Sequence, residues 1–152
     1  MRIYFDVCAL GRLTDDQRQQ RVRDESHAVL QCLASVLHGS DQWIASVALQ
    51  EEVARNTDTE RRLVTQSLLA TAQTTEPYTP VVKARAADLQ QRGFGYYDAH
   101  HVAFAESVQA DVLLTTDDRL IRLAQRLRSA AGDTEIRVEV ANPVDWLARR
   151  PR

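Results

Sequence analysis

Cysteine is almost missing from this 152-residue chain: only Cys8 and Cys32 occur, with no Cys-x-x-Cys and no paired-histidine spacing beside them. That excludes a disulfide framework or a zinc pattern, and both thiols read as small core residues. Long apolar runs are missing too. None approaches the roughly 18 residues of a membrane span, and Asp6 interrupts "MRIYFDVCAL" where a signal peptide would stay apolar, so the expectation is a cytoplasmic protein with no membrane association. Four prolines and five glycines leave no Pro/Gly-rich linker, and no internal repeat divides the chain, so residues 1–152 are expected to form one domain. The charge balance has no dominant sign. A net charge of −2 gives no bulk signal for nucleic acid, although every basic residue except Lys83 is an arginine, the side chain suited to bidentate phosphate contact.

What is present suffices for a fold, because 44% hydrophobic and 26% charged residues describe an ordinary globular chain. "RIYF" reads as a strand ending at Asp6, and Val22, Ala28, Val29, Cys32, Leu33 and Val36 form one side of a helix. "WIAS" is a second strand, after which Ser46 can cap the helix "VALQEEVARN". "DTERRLVTQSLLATAQ" is another helix, closed by the polar "TTEPYTP", and "VVKARAADLQQRGFG" is a further one ending on left-handed Gly93 and Gly95. "YYDAHHVAFAESVQA" is a helix, "DVLLT" a fully apolar strand, "DDRLIRLAQRLRSA" a helix, and "EIRVEV" alternates as a half-buried strand before "NPVDWL". Strands alternating with helices predict an α/β fold with a mainly parallel central sheet.

In such folds the working site lies beyond the carboxyl ends of the strands. Asp6 ends one strand, Asp117 follows another, Asp98 opens the helix that leads into that strand, and Glu52 lies in the helix after "WIAS". Four carboxylates converging there would repel one another unless protons or a cation offset them. Hard oxygen donors without thiolate or imidazole partners favour Mg²⁺ or Mn²⁺, and that chemistry suits phosphodiester hydrolysis. Taken singly, capping accounts for Asp98 or Asp117, and a solvated helix face for Glu52.

These motifs together resemble the PIN-domain ribonucleases, including the toxins of bacterial toxin/antitoxin pairs. "IYFDVCAL" resembles the family's opening strand, "IASVALQEEV" its Ser-then-Glu helix, "YYDAHHVAFAE" its third acidic motif, and "LLTTDDRL" its Thr-x-Asp strand end. The resemblance implies a three-layer α/β/α PIN-like fold and a metal-dependent endoribonuclease. By motif its acids are Asp6, Glu52, Asp98 and Asp117, with Thr115 holding a loop or a water. It also implies an RNA substrate, an antitoxin partner and a homodimer. A PIN-like domain that binds RNA or a protein without cutting is the alternative.

Glu51 and Glu52 point roughly 100° apart on a helix, so only one faces the site, and the family's count of six from Ser46 selects Glu52. Thr-x-Asp selects Asp117, leaving Asp118 to help start the helix. His101, three residues after Asp98, is expected to orient that acid, whereas His100 reads as a solvated or core residue. Arg119, Arg122 and Arg126 form a stripe opposite Leu120, Leu123, Ala124 and Leu127, so Arg119 and Arg122 are candidate RNA phosphate contacts, with Arg12, Arg55 and the tail "ARRPR" weaker ones. Three other acid-bearing α/β plans fit worse. Cys8 stands where a haloacid-dehalogenase-type phosphatase needs its second Asp, a receiver domain needs a lysine on a late strand, and "GFGYYD" follows a helix rather than the strand a dinucleotide fold requires.

Overall fold

The computed structural model describes residues 1–128 and 136–150. In chain order the elements are β1 (Arg2–Phe5), α1 (Val7–Gly11), α2 (Gln20–Leu37), β2 (Gln42–Ser46), α3 (Val47–Ala54), α4 (Thr59–Leu69), β3 (Thr74–Glu76), α5 (Pro80–Gln91), α6 (Tyr96–Ser107), β4 (Val112–Leu114), α7 (Asp118–Arg128), β5 (Glu139–Ala141) and α8 (Pro143–Arg149). Among the described residues five strands pair in the order β3-β2-β1-β4-β5, every pair parallel.

β1 and β4 are central, and their sequences say why. Ile3, Tyr4, Phe5, Val112, Leu113 and Leu114 are all fully buried, as strands covered on both faces must be. Alternation then divides them between two apolar cores. Tyr4 and Leu113 face a cluster built with Val82, Ala86 and Leu89 of α5, Val102 and Phe104 of α6, and Leu120 and Ala124 of α7. Ile3, Phe5, Val112 and Leu114 face the other, which takes Leu10 of α1, Val29, Cys32 and Leu33 of α2, Leu49 and Val53 of α3, and Trp146 of α8. A three-layer α/β/α architecture results.

The structure departs from several sequence expectations. α1 has no counterpart among them: it is one turn long, capped by the Asp6 carboxylate accepting from the Ala9 amide. It carries Cys8 into an exposed position, so only Cys32 is the buried thiol expected of both. β3 falls where the sequence reads as loop, since "TTE" has no apolar face; its strand conformation comes from pairing with the edge of β2. Gly93 has the expected left-handed backbone (φ 103°), whereas Gly95 does not, because it is the N-cap of α6 at φ −65°. Within "EIRVEV" the burial alternates as expected, yet only Glu139–Ala141 pairs in the sheet, and residue 135 lies outside the described residues, as do 129–130 of the "DDRLIRLAQRLRSA" helix. Among the described residues no helix is long and apolar enough to cross a membrane.

Candidate active site

The chain leaves β1 toward β2 on one side and returns to β4 on the other, so the crevice beyond the carboxyl ends of β1 and β4 is the topological switch point of the sheet. Asp6 and Thr115–Asp117 are the residues delivered there. The Asp6 amide donates to the Leu114 carbonyl (3.1 Å), and its Oδ1 accepts from the Ala9 amide (2.8 Å), which fixes the carboxylate at the start of α1. Thr115 is fully buried. Its hydroxyl donates to the Asp6 carboxylate and accepts from the Asp117 amide (3.1 Å), tying the ends of the two central strands together.

Burial pushes the Asp6 carboxyl up to about 7; the hydrogen bonds from Thr115 and Ala9 and the nearby His101 oppose that rise, while Asp98 adds to it. Asp98 is raised as well, first by burial, then by the charges of Asp117 and Glu52, against the pull of His101 and Arg119. The exposed Cys8 thiol reports the same crowding: loss of water on its protein side raises it, and so do the charges of Asp6, Asp117, Asp98 and Glu52. All four acids thus lie within electrostatic reach of one another. As placed, they stop short of a closed ligand set: among the described residues no three carboxylate, imidazole or thiol groups are drawn together tightly enough to hold a metal ion.

The structure separates the paired acids. Glu52 accepts from His101 Nε2 at 2.6 Å, whereas the neighbouring exposed Glu51 accepts from the Tyr78 hydroxyl at 2.8 Å on another face of α3. At the β4 end, Asp117 itself caps α7, its Oδ1 accepting from the amides of Arg119 (2.9 Å) and Leu120 (3.3 Å). Asp118 is the first residue of the helix, as expected, but its carboxylate does not cap it. It is gripped by both terminal nitrogens of Arg21 (2.8 and 2.7 Å), which also reaches the Thr116 carbonyl and so braces the loop that carries Asp117. Asp98 is not a cap either, because Gly95 takes that position, and no hydrogen bond to the Asp98 carboxylate occurs among the described residues. Capping therefore explains Asp117 in part and Asp98 not at all.

His101 is fully buried, and its partner is Glu52 rather than the expected Asp98. Three residues along a helix places it beside Asp98, but the ring is turned toward β1 and α3. Its Nδ1 lies 2.8 Å from the Tyr4 hydroxyl, which in turn lies 2.5 Å from Ser46 Oγ, and Ser46 caps α3 by accepting from the Leu49 amide. In the Nε2–H tautomer the ring donates to the carboxylate and accepts at Nδ1, so Tyr4 donates to His101 and Ser46 donates to Tyr4; a doubly protonated ring donates at both nitrogens. Burial, together with the charges of Asp6 and Glu52, keeps the Tyr4 phenol protonated against the opposing bond from Ser46, as this direction requires. The sequence points to Ser46 and His101 as supports; it does not reveal Tyr4, whose hydroxyl looks like mere core from strand periodicity. His100 is structural, bonded to the Tyr96 carbonyl and packed against Tyr78 and Tyr96.

Of the basic candidates, Arg119 and Arg122 are exposed on α7 and donate to no carboxylate among the described residues. Arg12 is instead consumed by Glu25 and Asp15. Arg55 sits over the Tyr97 ring, 5.7 Å from its centre. In the tail, Arg149 pairs with Glu139 and Arg150 with Asp41, and residues 151–152 lie outside the described residues. Beside Asp117 a cavity of about 400 Å³ opens between α1 and α4, lined by Cys8, Arg12, Asn56, Arg61 and Thr116 among others.

An acid-lined crevice at the switch point of a five-stranded parallel α/β/α sheet defines the class of fold. The PIN domain family model matches residues 21–126, and the chain belongs to that family. Glu52, Asp98 and Asp117 fall inside the matched span, while Asp6 precedes it and reaches the site through the sheet. A similar solved structure is that of VapBC2 from Rickettsia felis bound to a DNA fragment from their promoter, at a TM-score of 0.56 and 12% identity, covering 93% of this chain and 98% of that one. That likeness is one of fold. A comparison with curated proteins found no match.

Proposed function

We propose that the protein is a metal-dependent endoribonuclease, hydrolysing RNA phosphodiester bonds at the crevice beyond β1 and β4. The observation that carries this reading is a pair of raised carboxyl groups, Asp6 and Asp98, gathered with Asp117 and Glu52, of which Asp98 has no hydrogen bond to its carboxylate among the described residues. Such a gathering costs the isolated fold and is offset by a hard cation. The donor chemistry fits Mg²⁺ or Mn²⁺: four carboxylates, with the one nearby imidazole turned to Glu52 and the one nearby thiol held protonated. Asp6, Asp98 and Asp117 would hold the ion, and Glu52 would complete the set or orient the attacking water. When bound, the ion supplies Lewis acidity and offsets charge on the phosphoryl group.

The chain's own groups do the rest. Thr115 holds Asp6 and the Asp117 amide, His101 fixes the direction of the Glu52 carboxylate, and Arg119, close enough to bias Asp98, offers a phosphate contact. Water forms the new bond to phosphorus, a ribose oxygen leaves, and the proton released by the water passes to a carboxylate or to solvent.

A toxin role, with an antitoxin partner and a homodimer, belongs to the same proposal through the family resemblance, and the VapBC2 complex supports it only by fold. Binding of RNA without cleavage is the second reading, favoured by the open arrangement of the acids. Incubating the protein with single-stranded RNA and Mg²⁺ or Mn²⁺, with and without chelator, and in parallel as Asp98→Asn, separates the two. Cleavage lost in both controls is expected; cleavage that survives both rejects the metal site, and binding with no cleavage by the intact protein favours the second reading. Co-expression with the product of the neighbouring reading frame tests the toxin role, with relief of growth arrest as the expected result.

A further inference from the structure

α7 places Arg119, Arg122 and Arg126 on one exposed face, opposite the buried Leu120 and Ala124. These three, with Arg92 from the end of α5, line a groove of about 770 Å³ whose other walls include Gly93, Leu123 and Gln125, with no carboxylate in its lining among the described residues. Arg92 is already paired with Asp88, whereas Arg119 and Arg122 form no salt bridge among the described residues and act only at longer range, on Asp98 and Asp118 respectively. A folded chain that leaves adjacent guanidinium groups together in a concavity bears a repulsive cost that a polyanion removes.

The groove begins at the acids. Arg119 acts on Asp98, and its backbone amide is bound by Asp117. Along the helix axis, steps of three and four residues separate the arginines by about 4.5 and 6 Å, so the charges form a row leading away from the crevice rather than a single anion pocket. Leu123 gives that row an apolar wall and Gln125 a side-chain amide, a mixture suited to a strand with exposed bases; a rigid duplex presents mainly its backbone to shape-reading surfaces.

We infer that the α7 groove, with Arg119, Arg122, Arg126 and Arg92, is a subsite for single-stranded RNA that grips the backbone flanking the cut through successive phosphates. This rests on the ribonuclease reading for its biological use, but its physical content is binding. The charge row sets the path of the strand, and the acids at its end set where that path is cut.

The test is fluorescence anisotropy of the full chain with a labelled 2′-O-methyl RNA single strand in chelator, across a salt series, for the wild type, Arg122→Ala/Arg126→Ala, Arg122→Lys/Arg126→Lys, and Arg62→Ala on α4 in the opposite layer. The alanine pair is expected to weaken binding at least tenfold at low salt and to flatten the log–log salt slope by about 1.4, at about 0.7 for each phosphate no longer neutralised. The lysine pair should keep the slope, which separates lost charge from a folding defect, and Arg62→Ala should match the wild type. An alanine pair with wild-type affinity and slope overturns the inference, and so does a blunt RNA duplex bound as tightly as the single strand. Cleavage is not needed for any of these readings: binding as described without cutting refutes the nuclease proposal alone, and cutting with an unchanged slope refutes the subsite alone.

Discussion

His101 Nε2 lies 2.6 Å from Glu52 Oε2, and the far nitrogen of the same buried ring is locked by Tyr4, so a hydroxyl on the central strand decides which way a carboxylate on α3 is held. Outer-shell partners of this kind change affinity or rate by about 10- to 100-fold when removed. Tyr4→Phe keeps the ring in the core and deletes only the donor. Expected is a loss of about tenfold in cleavage with a stability cost of about 1 kcal/mol, read by single-turnover rates and thermal melting. The ¹⁵N shifts of His101 should also move away from the single Nε2–H tautomer; a variant that retains both rate and tautomer shows the relay to be packing.

The two adjacent glutamates give a sharper contrast. Glu52→Gln should lower cleavage by about 100-fold or more, the scale of a lost carboxylate at a reacting centre, whereas Glu51→Gln, which alters only an exposed bond from Tyr78, should stay within about twofold of the intact protein. Equal losses from both would place the carboxylate requirement elsewhere.

Asp117 caps α7 and is proposed as a site residue, and the two roles can be pulled apart. Asp117→Ser keeps an oxygen able to accept from the Arg119 and Leu120 amides, so melting should shift by less than about 0.5 kcal/mol while cleavage falls by about 100-fold or more. Asp118→Ala removes an exposed ion pair with Arg21 and is expected to cost about 0.5 kcal/mol with cleavage largely kept. Cleavage by the serine variant at the wild-type rate would reduce Asp117 to a cap.

Asp6 should make the metal-free protein sensitive to alkali. Its folded carboxyl is raised to about 7 from an ordinary 3.8, so the folded chain holds the proton more tightly than the unfolded chain does. That contribution is fully present below about pH 4 and is lost as pH rises through 7, amounting to about 4 kcal/mol. The groups facing it are the Thr115 hydroxyl, the Ala9 amide, His101 and the Asp98 carboxyl, the last raised in the same direction. Asp6→Asn removes the effect, so its melting temperature should climb relative to wild type between about pH 4 and pH 8 in chelator. Asp41, Asp88 and Asp118, all lowered by arginine partners, titrate oppositely in both proteins and cancel in the difference. A flat difference contradicts the burial argument. Mn²⁺ at about 100 times its dissociation constant should stabilise the wild type at about pH 8 by about 2.7 kcal/mol and leave Asp98→Asn nearly unmoved.

Much of this arrangement is legible along the chain. "RIYF" and "DVLL" announce buried parallel strands because their apolar residues fall on both faces, and Ser46 announces its cap by type and place. The partners of each acid are not legible. Helix periodicity puts His101 beside Asp98, yet the ring turns to Glu52 because Tyr4 and Ser46, 97 and 55 positions earlier, occupy the other side of it. α1 and the exposure of Cys8 escape a sequence reading because a single turn has too few residues to show a period, and β3 escapes it because its pairing energy comes from β2's open edge rather than from its own side chains.

Local chemistry, then, was determined by the sequence alone: which segments bury themselves, which turn, and which residue types end the strands as acids, since these depend on near neighbours and on the cost of wetting apolar surface. The tertiary structure alone decided which of two adjacent carboxylates faces inward, which partner each hydrogen bond finds, and that four arginines share one groove. Those outcomes depend on angles and distances between elements far apart in the chain, which strand order and helix packing fix and no run of residues encodes by itself.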